Sequence, residues 1–221
     1  MKTALCFAGT GRATEFTFSH LKEMLIEPLG DDCDVIVDIT DTPYSGKVEK
    51  LFNSVSSNVE IVKEEPIDIS PYKFQPLWPP ATQPDYPKGR HIYLQMVKAR
   101  RRLVDRMDVN YEVPLNKSID HLPLNDLWIP NVHNWCGGHN DRFAVSNEEN
   151  MVKYLSQWDY MPQYASDGLI FHAETSLKYH LSNMGIAPKH FRCDFIRIKP
   201  NGAPRETFNQ IRNQAVIPCE I

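Results

Sequence analysis

Thr3-Ala4-Leu5-Cys6-Phe7-Ala8, closing on Gly9-Thr10-Gly11-Arg12, is the stretch on which the fold turns. The apolar run is too short for a helix, and the glycines after it end a buried strand in a turn. Working outward, Thr14 to Glu27 carries Phe18, Leu21, Met24 and Leu25 at helical spacing, and Pro28 is predicted to stop that helix. Val35-Ile36-Val37, β-branched and set between Asp34 and Asp38, reads as a second buried strand. Ser45 to Phe52 reads as a helix and Val59-Glu60-Ile61-Val62 as a third strand. Strand–helix–strand–helix–strand order implies parallel pairing, hence an α/β sheet flanked by helices.

The 221 residues as a whole fit one α/β domain of upper-middling size, or two very small ones, and no clear second domain stands out. Hydrophobic residues make up 42% and charged residues 24%, which excludes wholesale disorder. A net charge of -4 and a pI near 6.1 argue against a chain whose task is coating DNA or RNA, so no nucleic-acid partner is expected. No apolar run approaches the ~20 residues of a membrane span. The apolar start stops at Gly9, short of the ~7–15 residues of a secretory signal core, so a cytoplasmic location is expected. Five scattered cysteines without a C-x-x-C pair suggest neither a disulfide framework nor a four-cysteine zinc site.

Between residues 64 and 90, Pro71, Pro76, Pro79, Pro80, Pro84 and Pro87 crowd together with Tyr72, Phe74, Trp78 and Tyr86. That aromatic content predicts an ordered excursion lying over the sheet. His91 to Arg106 is amphipathic, with Ile92, Met96 and Leu103 on one side, and Lys98 to Arg102 reads as a solvated face. A strand is predicted at Leu127-Trp128-Ile129. Ser146-Asn147-Glu148-Glu149 has the form of a capping box opening a helix through Trp158. A further helix is predicted from about Ala173 to Met184, closed by Gly185, and then a strand from Phe191 to Ile198. The ending Val216-Ile217-Pro218-Cys219-Glu220-Ile221 has no stop signature, so a longer parent chain is expected.

Four constellations carry candidate chemistry. Gly9-Thr10-Gly11-Arg12 sits where an α/β fold takes up ligands; a nucleotide contact and a plain tight turn both fit it. Asp108 and Asn110, two residues apart, point the same way in an extended segment and fit one hard cation, with Asp105 close by; a solvated helix end also fits. Gly137 and Gly138 before Asn140-Asp141-Arg142 suggest backbone pressed against a ligand with polar side chains above it, although Asp141 and Arg142 also fit a structural ion pair. His133-x-x-Cys136-x-x-His139 has the residue types of a zinc site and keeps a zinc hydrolase open as an alternative. Glu174, at a predicted helix start, reads as a cap first and a catalytic residue second.

Together these segments resemble the GT-A type glycosyltransferases. The first strand with Ala8-Gly9-Thr10-Gly11-Arg12 resembles their nucleotide-binding opening. Arg106-Met107-Asp108-Val109-Asn110 resembles their metal-binding D-x-D neighbourhood, here as R-x-D-x-N without the second Asp. Gly137-Gly138-His139-Asn140-Asp141-Arg142-Phe143-Ala144 is similar to a segment of small bacterial and algal-virus members. The resemblance implies one GT-A-like domain over residues 1–221, with a nucleotide-sugar half at 1–110 and an acceptor half at 111–221. It implies transfer of a hexose from a UDP-sugar to a glycan or glycoprotein hydroxyl with inversion, in the host cytoplasm for a viral chain. Gly9, Thr10, Gly11, Arg12, Asp38, Thr40, Arg106, Gly138 and Asn140 would hold the donor. Mn²⁺ or Mg²⁺ would sit on Asp108, Asn110 and Asp105, with Asp141, and next Glu174, as the base. A sugar- or nucleotide-binding module without turnover is the non-enzymatic alternative.

Overall fold

A computed structural model describes residues 3–9, 14–30, 33–63, 65–74, 86–106, 122–191 and 203–204. Strands β1 (Thr3–Gly9), β2 (Cys33–Thr40) and β3 (Asn58–Val62) form a parallel sheet in the order β1-β2-β3. The register sets Ala8 beside Asp38 and Asp38 beside Glu60. Side chains alternate across a strand, and that alternation gives the sheet two apolar faces. Leu5, Phe7, Val35, Val37 and Ile39 face one cluster with Phe18, Ile26, Val48 and Phe52. Ala4, Cys6, Ala8 and Ile36 face the other, with Leu103, Leu127, Ile129, Tyr154, Leu155, Leu177 and Leu181. Residues from both ends of the chain therefore share one core.

The first helix differs from its prediction. It runs as α1 (Thr14–Leu21), a π turn at Lys22–Ile26 and a closing turn α2 (Glu27–Leu29), ending at Gly30 with φ +67°. Pro28 lies inside that last turn and so does not stop the helix ahead of it. The wider i→i+5 turn shifts the register, so Ile26 rather than Met24 joins Phe18 in the core, and Met24 is left 59% exposed. Helix α3 (Ser45–Phe52) lies where the sequence places it.

The described part of the aromatic excursion, residues 65–74, packs against the segments carrying Tyr93, Met161 and Phe171 rather than over the three-stranded sheet. Its strand β4 (Lys73–Phe74) pairs with β6 (Ile170–Phe171), and Tyr72 and Phe74 pack with Phe171 and Tyr93 beside Met161 and Tyr164. Trp78 lies outside the described residues. Helix α4 (Tyr86–Arg106) starts earlier than predicted and packs against β1, β2, helix α5 (Glu148–Leu155) and helix α6 (Gln157–Ser166). The cap of α5 is Asn147, whose side chain accepts from Asn150 N; the Ser146 hydroxyl instead donates to the Asp126 carbonyl, and Glu149 pairs with Lys153. Asparagine caps as well as serine does, so losing the hydroxyl to a loop carbonyl only moves the start by one residue. The helical run then restarts as α6 and passes Trp158. Helix α7 (Ala173–Asn183) is closed by Gly185 at φ +69°, and β5 (Trp128–Pro130) pairs in parallel with β7 (Lys189–Phe191). Residues 192–198 of the last predicted strand lie outside the described residues. Among the described residues no helix is long and apolar enough to cross a membrane.

Arg100, Arg101 and Arg102 do not form the solvated face expected of them. Arg101 bonds Asp105 and Asp159, while Arg102 grips Asp38 on β2 through two bonds of 2.8 and 2.6 Å. Asp38 is fully buried, so removing its carboxylate strands a guanidinium against the sheet. Asp38→Ala is expected to cost about 3 kcal/mol in urea unfolding. The Asp38→Ala/Arg102→Met double variant is expected to lose less than the two single losses added together. Simple additivity would show that the pair is not coupled.

Candidate functional site

The site is built where the loop 131–145 meets the first turn of α7. Gly138 makes that meeting possible: a Cβ there would fall on the Glu174 carbonyl and the Thr175 nitrogen. The glycine signal in the sequence thus reports backbone pressed against backbone rather than against a ligand. His139 N donates to the Glu174 carbonyl at 2.9 Å, and Lys178 Nζ donates to the Gly137 carbonyl at 2.9 Å. Asn140 is consumed by the same loop. Its Nδ2 donates to the Val132 carbonyl, its Oδ1 accepts from Arg142 N, and its own N–H donates to Asn134 Oδ1.

This docking brings two acids that are distant in sequence, Asp141 and Glu174, to one arginine. Arg142 Nη1 lies 3.3 Å from Asp141 Oδ1, and its Nη2 lies 3.2 Å from Glu174 Oε1. Glu174 is 2% exposed, and His172 Nδ1 stands 3.4 Å from its other oxygen. Burial pushes the Glu174 carboxyl up, and the negative charge of Asp141 adds to the effect, against the opposing pull of Arg142 and His172. A buried acid raised beside a second carboxylate is the arrangement that separates an acid from a base.

Asp141 is 4% exposed and held from behind by Arg100, which donates from one nitrogen to both the Asp141 carbonyl (2.7 Å) and Oδ2 (2.9 Å). Its Oδ1 has no hydrogen-bond donor. Asp141 and Arg142 line a cavity of about 340 Å³ that runs beside β1, with Ser146, Tyr154, Met151 and Ala8 among its walls. Sequence reasoning missed Arg100 because nothing local separates it from its two charged neighbours.

The other candidate residues are placed as follows. Gly9, with φ +144°, ends β1 beside Ile39, and Thr40 ends β2 beside Val62, so both stand at the carboxyl edge of the sheet. Thr10, Gly11 and Arg12 lie outside the described residues, as do Asp108 and Asn110. Asp38 is occupied by Arg102. Arg106 donates to the Val37 carbonyl and to the Asn58 carbonyl and side chain, tying β2 to β3. Asp105 is exposed and pairs with Arg101 at 2.7 Å. His133 is fully buried and Cys136 exposed, and no group of three or more His, Cys, Asp or Glu gathers for a metal among the described residues. In comparisons with family models, curated proteins and solved structures, nothing matches the chain.

Two measurements probe this docking. Gly138→Ala must drive the loop off α7 and is expected to cost about 1–3 kcal/mol; an unchanged melting temperature would refute the contact. His139 is pushed down to about 4, first by burial and then by the positive charge of His190 and Lys178. An unfolded histidine titrates near ~6.5, so as pH falls toward 4 the unfolded chain takes up a proton that the folded ring refuses. Stability is expected to be complete above that upper value, to fall across the window and to level off below it. His139→Asn should flatten the denaturation midpoint against pH there, and an equally steep variant would assign the loss to another group.

Proposed function

We propose that the chain is a GT-A type glycosyltransferase moving a hexose from a UDP-sugar to a glycan hydroxyl, with Asp141 as the base. The observation that supports this reading is the setting of the Asp141 carboxylate: a buried acid that lines a cavity, with Oδ2 anchored by Arg100 and Oδ1 beside Arg142. In the transfer, the glycan hydroxyl oxygen bonds to the sugar's anomeric carbon, the bond from that carbon to the diphosphate oxygen breaks, and the proton passes to Asp141. Attack from the face opposite the leaving diphosphate inverts the anomeric centre. Gly9 and Thr40 at the carboxyl edge of a parallel sheet suit the donor half of this reading, because ligands of open α/β sheets bind there. Mn²⁺ or Mg²⁺ belongs to the proposal through Asp108 and Asn110, and no step above is routed through it.

The test is release of UDP from a panel of UDP-sugars, with and without oligosaccharide acceptors and Mn²⁺. Asp141→Asn keeps the size of the side chain and removes its basicity, so turnover is expected to fall ~10²–10⁴-fold while calorimetric UDP affinity stays nearly unchanged. Loss of UDP affinity with turnover intact at saturation would make Asp141 a donor ligand. Tight UDP binding without turnover in the unaltered protein would favour the binding module.

A further inference from the structure

We infer that Arg100, on the buried side of α4, is the positioning residue that aims Asp141 into the cavity. The inference rests on the reading of Asp141 as the base and goes beyond it by naming what sets the base's geometry. Arg100 is 8% exposed and, like Asp141, lines the cavity. Its Nη2 holds two atoms of one residue, the main-chain carbonyl and Oδ2 of Asp141. Fixing both removes the rotation about χ1 and χ2 by which the carboxylate could swing, and keeps Oδ1 3.3 Å from Arg142 Nη1. Arg142 alone does not supply this constraint. It sits 3.3 Å from Oδ1, is shared with Glu174, and has a side chain 28% exposed. Arg100 is in turn fixed by its place on a long helix, with Met96 Sδ one turn back at 3.4 Å and Val97, Ala99 and Leu103 buried around it. A base held by a helix is held more precisely than one held by a loop.

Positioning and mere structural support differ in what they move. A supporting residue lowers the folded fraction and leaves the rate per folded molecule alone. A positioning residue lowers kcat and leaves donor binding alone, because misplacement of a reacting group by about 1 Å costs up to ~10²-fold. The experiment is steady-state UDP release by the intact protein, per folded molecule, for the unaltered chain, Arg100→Met, Arg100→Lys and Asp141→Asn, with calorimetric UDP binding alongside.

Arg100→Met is expected to lose ~10²-fold in kcat, with donor KM and UDP affinity within about threefold. Arg100→Lys, which keeps a cation and a donor but not the planar fork, is expected to recover about tenfold of that loss. Unchanged kcat per folded Arg100→Met molecule overturns the proposal while leaving the base assignment standing, provided that Asp141→Asn is crippled. Loss of UDP affinity in Arg100→Met also overturns it and makes Arg100 part of the donor site. Should Arg100→Met fail to fold, Arg100→Lys decides: kcat about tenfold down at unchanged UDP affinity supports positioning, and unchanged kcat refutes it. A folded, unaltered protein that turns over no UDP-sugar sinks the base assignment, and this inference with it.

Discussion

Successive residues leave an α-helix about 100° apart, and three adjacent arginines on α4 turn that constraint into the architecture of the molecule. Arg100 points to the loop that carries Asp141, Arg101 to Asp159 on α6, and Arg102 to Asp38 on β2. One helix thus bonds through charge to three separate elements. A helix that used its charge for solvation would leave the loop 131–145 tied to α7 and to β5 and β7 but not to α4. The fan also explains how a chain of net charge -4 buries several cations: each arrives with its acid.

What was legible in the sequence follows from how local each signal is. The strand cores at residues 3–8, 35–37 and 59–62 were readable because their runs are apolar and rich in β-branched residues, whereas the ends of β2 were not, since that strand runs through both Asp34 and Asp38 to Thr40. The parallel sheet followed from their order. Helix α3 and the Gly185 closure of α7 were readable for the same reason. The π turn was not: Met24 and Ile26 are equally apolar, and only packing against Phe18 and the sheet decides which one turns inward. Nor was the cap at Asn147, where Ser146 and Asn147 are equivalent until the Asp126 carbonyl claims one hydroxyl.

The candidate site was legible in its ingredients and not in its assembly. Gly137-Gly138-His139-Asn140-Asp141-Arg142 was singled out as unusual, and both Asp141 and Glu174 were named from their local settings. That the two acids meet across Arg142 depends on Gly138 fitting under the first turn of α7, a contact between segments that no local pattern records. The same holds for Arg100. Its chemistry is identical to that of Arg101 and Arg102, and its destination depends on where a distant loop is docked. Asn140 shows the reverse case, in which a residue that reads as ligand-facing is used up by three hydrogen bonds within its own loop.

The energetics of the cluster give the last step. Two arginines and two acids at one junction would balance as a structural network, and such a network lowers carboxyl affinities for protons. Here burial outweighs the cations at Glu174, whose carboxyl is pushed up rather than down. A purely structural network would also satisfy every oxygen, since each one left without a donor costs ~1–3 kcal/mol. Asp141 Oδ1 is nevertheless left without a hydrogen-bond donor while Oδ2 and the main-chain carbonyl of the same residue are doubly secured. The reading of Asp141 as a base rests on three features together: a cavity lined by the residue, a Glu174 carboxyl pushed up across the arginine, and a rigid helix behind the carboxylate.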